Sequence, residues 1–147
     1  MKRNIWSLAG LIVLIIFAAY AAYMGSITIH NVGNFYAVGI AAYQDPACTE
    51  NLTQINWGTV YAGNSQTYVA YLQNEGSTNL TLTLTYGNWV PSNAPNFMSL
   101  SWNYAGEVIA PGQVLTATFT LATIYAPYPA INFTSFSFDI TVTGTQV

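Results

Sequence analysis

The chain has 147 residues, of which 52% are hydrophobic, 15% aromatic and only 5% charged. Disorder is excluded, because disordered segments combine high charge with few aromatics. The two basic residues are Lys2 and Arg3, which excludes both a nucleic-acid interface and a cationic clamp for a nucleotide phosphate.

Residues 1–4 read as a cytoplasmic basic tip. Residues 5–24, IWSLAGLIVLIIFAAYAAYM, carry no charge, and about 20 apolar residues suffice to cross a bilayer as a helix. Lys2 and Arg3 precede the run, so the positive-inside rule places the N-terminus in the cytoplasm and the remainder outside. Trp6 at one end, with Tyr20 and Tyr23 at the other, falls where aromatic belts meet the two membrane interfaces. Ala19-Tyr20-Ala21 has the small-x-small form of a signal-peptidase site. The full spanning length favours a retained anchor, with cleavage near Ala21 as the alternative. Asn4 stands where a prepilin-type site takes a small residue, which disfavours a type IV pilin.

Residues 26–147 read as one extracytoplasmic domain. Leu80, Leu82 and Leu84 alternate with Thr81, Thr83 and Thr85; Leu115, Ala117, Phe119 and Leu121 alternate with Thr116, Thr118 and Thr120. Phe136, Phe138, Ile140 and Val142 alternate with Ser137, Asp139, Thr141 and Thr143. Period two with β-branched polar partners predicts half-buried antiparallel strands. Weaker strand signals cover 35–43, 54–60, 65–73 and 98–102, and 27–30 would add an edge. Turns are expected at 61–64, 74–77 and 110–113, where Gly, Asn and Pro cluster, and a longer proline-containing loop at 89–96. About seven to nine short strands in one domain predict an all-β, immunoglobulin-like antiparallel β-sandwich behind one transmembrane helix.

Several of these motifs carry a resemblance. Ile55-Asn56-Trp57-Gly58-Thr59-Val60, Gly63-Asn64-Ser65-Gln66-Thr67, Leu72-Gln73-Asn74-Glu75-Gly76-Ser77 and the turn Ala110-Pro111-Gly112-Gln113 resemble the abnormal-spindle-type (ASH-like) immunoglobulin-like domains. Across about three quarters of its length the chain resembles archaeal single-span membrane proteins bearing one such external domain. Asn88-Trp89-Val90-Pro91 and Phe136-Ser137-Phe138-Asp139-Ile140 also fit that group. The resemblance implies a sandwich at the cell surface, and it carries over no catalytic residue.

Chemistry-bearing residues are few. Nucleophilic catalysis would have to use His30, the single histidine, which reads instead as a polar residue of a membrane-proximal strand. Cys48, the single cysteine, cannot close a disulfide within the chain and has no basic neighbours to activate it. Bridging two chains is its alternative role. A zinc site needs three or four ligands, more than His30 and Cys48 supply. Asp45, Glu50 and Asn51 offer calcium-type oxygens in one loop, without an EF-hand pattern. The acids Asp45, Glu50, Glu75, Glu107 and Asp139 read as scattered surface charge. No catalytic, cofactor or metal residue is assigned.

Asn51, Asn79 and Asn132 each open an Asn-x-Thr sequon and are glycosylation candidates. The expected partners are the lipid bilayer, through residues 5–24, and other surface proteins, glycans or copies of the chain. Two functions fit this composition. One is a non-enzymatic, membrane-anchored surface protein whose tyrosines supply rigid contact area. The other is a filament subunit, in which residues 26–43, with Ile27, Ile29, Phe35, Tyr36 and Val38, complete a neighbour's sheet after cleavage near Ala21.

Overall fold

The computed structural model describes residues 30–125 and 131–147. The expected membrane segment 5–24, the flanking Lys2, Arg3, Trp6, Tyr20 and Tyr23, the alternative cleavage point near Ala21 and the expected edge residues Ile27 and Ile29 lie outside them. Among the described residues no helix is long and apolar enough to cross a membrane.

The described residues form eight strands, in order β1 His30–Val38, β2 Ala41–Tyr43, β3 Gln54–Asn56, β4 Ser65–Gln73, β5 Leu80–Val90, β6 Met98–Trp102, β7 Val114–Thr123 and β8 Ser135–Gln146. One 3-10 turn, Ala94–Asn96, precedes β6. The strands form two four-stranded sheets, ordered β3-β1-β8-β5 and β2-β4-β7-β6. Their inner faces share one core, in which Phe35 of the first sheet meets Phe119 of the second edge-on at 5.6 Å. Phe119 is fully buried, and such a side chain contributes roughly 1.5–3 kcal/mol.

The predicted alternation holds where it is strictest. Phe136, Phe138, Ile140 and Val142 are all buried while their β8 neighbours Ser137, Asp139, Thr141 and Thr143 face outward. Leu80 and Leu82 of β5 and Ala117, Phe119 and Leu121 of β7 are buried in the same way.

Strand pairing is not antiparallel throughout. β1 runs parallel to β8, from His30↔Ser135 to Val38↔Thr143, and antiparallel to β3. No hairpin joins β1 to its sheet neighbours, so its direction is not set by a tight turn. The chain instead crosses to the other sheet after Val38. The single strand expected over 35–43 is therefore two strands in different sheets.

Gly39 makes that crossing. Its φ is +69°, in the region that favours glycine, and a Cβ there would lie 2.9 Å from the Gly144 carbonyl oxygen. A Cβ on Gly144 would meet the Gly39 oxygen at the same 2.9 Å. The backbones of β1 and β8 thus touch where the arch begins. β3 is shorter than expected because Gly58, at φ +63°, turns the chain and donates its N–H to Asn56 Oδ1 at 2.9 Å.

β5 is longer than expected and runs to Val90. Its register to β8 shifts between Gly87 and Val90, with Asn88 at φ +54°, the geometry of a β-bulge. The extra residue moves Trp89 onto the inner face, where it stacks on Phe138 with centroids 4.1 Å apart. Trp57 lies near-parallel to the same Phe138 ring, with centroids 6.3 Å apart and planes inclined by 17°. Its indole occupies the space over Gly33, where a Cβ would lie 3.2 Å from Nε1. That N–H is buried without a hydrogen-bond partner among the described residues.

Candidate interaction faces

The strand directions give the domain two ends. At the proximal end β1 begins, and the β3–β4, β5–β6 and β7–β8 connections gather. At the distal end lie the β1–β2 arch and the β4–β5 and β6–β7 connections.

The β5–β8 part of the first sheet's outer face is an array of hydroxyls. Cross-strand pairs Thr81↔Thr145, Thr83↔Thr143 and Thr85↔Thr141 join β5 to β8, a pairing that stabilises sheets. Asp139 ends this array. It accepts Asn34 Nδ2 from β1 at 3.0 Å and Asn88 Nδ2 from the bulge at 2.7 Å. These two donors, Asn88 first, hold its carboxyl below the usual range. Asp139 is thus a carboxylate bound by two amides across three strands.

Asp45 organises the β2–β3 connection. Its carboxylate accepts the Glu50 N–H at 2.8 Å, the Thr49 N–H at 3.0 Å and the Thr49 hydroxyl at 3.0 Å. Those donors, the Glu50 amide foremost, lower its pKa. Cys48 in the same loop has φ +56° and is half-buried. Burial, then the nearby Asp45 and Glu75 carboxylates, push its thiol up, opposite to what a nucleophile needs. His30 begins β1 opposite Ser135. Among the described residues no group of three His, Cys, Asp or Glu side chains could hold a metal ion.

The other acids lie at the distal end. Glu75 accepts a hydrogen bond from the Tyr43 hydroxyl, which raises the phenol's pKa. Glu107 accepts the Ala105 N–H at 3.1 Å, and its own carbonyl accepts the Tyr104 hydroxyl at 2.6 Å. Beside them Asn74 is fully buried. Its Nδ2 donates to Thr78 O and Ile109 O at 2.8 and 2.9 Å, while Oδ1 accepts the Gly76 N–H at 3.0 Å.

The proximal end is different in kind. The described residues of its connections, 57–64, 91–97, 124–125 and 131–134, contain no Asp, Glu, Lys, Arg or His. They are tied to one another: Ile124 N–H donates to Phe97 O at 2.9 Å and Gly63 N–H to Ile124 O at 3.2 Å. The Thr123 hydroxyl adds a bond to Tyr61 O at 2.7 Å and accepts the Asn64 N–H at 3.2 Å. Out of this frame project Tyr125, Val90 and Ile124, 70%, 63% and 55% exposed. Tyr61 and Val32 are exposed beside them. A shallow groove of about 510 Å³ runs between Val32, Val90, Pro91 and Phe133.

The three sequon asparagines are all exposed. Asn51 bridges to Tyr43 beside the Asp45 loop. Asn79 precedes β5 at the distal end, where its carbonyl accepts Val147 N–H at 3.2 Å. Asn132 stands at the proximal end, its Oδ1 accepting Asn93 Nδ2 at 3.3 Å. Sequence reasoning missed the Asn34–Asp139–Asn88 cluster and the buried Asn74, because their partners are distant along the chain. The missing charges in the proximal connections were legible, once strand order showed that these segments meet.

No protein-family model matches the chain, and no curated protein matches it either.

Proposed function

We propose that the chain is a non-enzymatic, membrane-anchored cell-surface protein whose external immunoglobulin-like domain of ASH-like type contacts other envelope proteins or glycans. The observation that carries this reading is the character of the exposed surface. Threonine pairs are arrayed across β5 and β8, and the acids on the faces are engaged by amides and hydroxyls of the domain itself. Such a surface makes contacts through many shallow polar and aromatic groups. Residues 5–24 supply the anchor in this reading. The ASH-like assignment draws support from the meeting of two of its motifs: Gly112 N–H donates to Asn74 O at 2.7 Å.

Cys48, the single thiol of the chain, tests the topology. A membrane-impermeant maleimide applied to intact cells above neutral pH labels Cys48 as fully as it does after lysis. Labelling only after lysis would overturn the external placement.

The filament reading keeps one specific support. β1 is joined to the body through only Gly39 and Ile40, and short hinge loops are where strand exchange between copies occurs. In the structure His30–Val38 completes its own sheet and Phe35 is buried in its own core. Polymerisation therefore requires neighbours to exchange β1. Fibres in electron micrographs of the native envelope, built of this chain, would favour it.

A further inference from the structure

We infer that the proximal end is a bilayer-resting face, which sits against lipid head groups and fixes the orientation of the domain. The inference rests on the anchored reading above and names the surface that anchoring brings to the membrane.

Three observations converge. First, the apolar run ends at Met24 and β1 begins at His30, leaving five residues between them. Five residues span at most about 18 Å, so the proximal end cannot stand far from the bilayer. Second, the described residues of the three connections at that end include no Asp, Glu, Lys, Arg or His. The acids lie elsewhere: Glu75 and Glu107 at the distal end, Asp139 on a sheet face, Asp45 and Glu50 in the β2–β3 connection. An acid-free face avoids repulsion from anionic head groups. Third, Tyr125, Val90 and Ile124 are the most exposed large hydrophobic side chains of that end among the described residues. Tyrosine with aliphatic neighbours suits the head-group level, where one end of a side chain is apolar and the other wet. The hydrogen bonds among Phe97, Ile124, Gly63, Tyr61 and Thr123 hold these side chains on a stiff frame.

The test uses the full chain in phosphatidylcholine vesicles. In a Cys48→Ser background, a fluorophore is placed by Tyr125→Cys, by Val90→Cys, or by Val108→Cys at the distal end. Flotation with the vesicles is measured first. Quenching by a lipid carrying a nitroxide near its head group is then compared with quenching by aqueous iodide. The inference predicts that labels at 125 and 90 are quenched several-fold more by the lipid nitroxide than the label at 108, and less by iodide. Equal quenching at all three positions in floating protein overturns the bilayer-resting face while leaving the anchor intact. Shielding from iodide without lipid quenching assigns the face to protein contact and overturns it as well. Protein that does not float overturns the anchored reading itself.

Discussion

Asn74 donates its side-chain amide to the Ile109 carbonyl at 2.9 Å, across 35 residues of sequence. The same side chain closes its own turn through Thr78 O and Gly76 N–H, and its main chain bonds Gln113 and Gly112. A residue that looks like ordinary turn punctuation is therefore the buried tie between the β4–β5 and β6–β7 connections. Asn74→Ala would leave the Thr78 carbonyl and the Gly76 N–H without their partner and take from the Ile109 carbonyl one of its two donors, the other being the Leu80 N–H at 3.0 Å. The expected loss is roughly 3 kcal/mol, read as a lowered urea midpoint with unchanged slope. A loss within error would show that water replaces the side chain.

Gly39 and Gly144 define the point where β1 leaves its sheet. Gly39→Ala combines a positive φ with a contact of 2.9 Å to backbone, and is expected to cost about 2 kcal/mol or more. Gly144→Ala meets the same contact without the φ strain, since its φ lies outside the positive range. Thermal unfolding of the two variants should therefore rank Gly39→Ala as the more damaging.

Trp89 reaches the core only because of the bulge at Asn88. Its removal in Trp89→Ala empties one side of the Phe138 ring, with an expected cost of about 3 kcal/mol. Asn88→Gly preserves the positive φ and should be milder than Asn88→Val, which places a β-branched residue there. Near-ultraviolet circular dichroism reports the loss of the Trp89–Phe138 stack directly.

Asp45 and Asp139 both have lowered pKa values, Asp45 chiefly through the Glu50 amide and Asp139 chiefly through Asn88. A carboxylate whose folded pKa is depressed stabilises the fold above its unfolded pKa of about 3.9, and that contribution disappears as pH falls through the folded value. Through these two groups the melting temperature should therefore stay level from neutral pH down to about 3.9 and fall from there to the folded value. Asn88→Ala should flatten the acid drop by weakening the hold on Asp139. An unchanged acid limb in that variant would contradict this assignment.

The two-layer fold was legible because β5, β7 and β8 alternate strictly, and each has one face in a shared core. Leu82, Phe119 and Ile140 announce their burial through their threonine and aspartate neighbours. The parallel pairing of β1 with β8 was not legible, since Val32 and Ser137 leave no local trace of one another. The break at Gly39 was hidden by apolar residues on both sides, Val38 and Ile40. The surface divides in the same way. The exposure of Asn51, Asn79 and Asn132 follows from their turn-rich surroundings. The Asp139 cluster depends on Asn34 and Asn88, 105 and 51 residues away, and on a bulge that no alternation pattern signals.

The scarcity of charge also acquires a direction. After Arg3 the chain has five acids and no Lys or Arg, and none of those acids lies in the proximal connections. The most direct test of the anchored reading is the intact mass of the protein recovered from alkaline-washed membranes. The account predicts a chain that retains residues 5–24, with any further increment at Asn51, Asn79 or Asn132 matching attached glycan. A mature chain beginning after Ala21, recovered outside the membrane fraction, would contradict it.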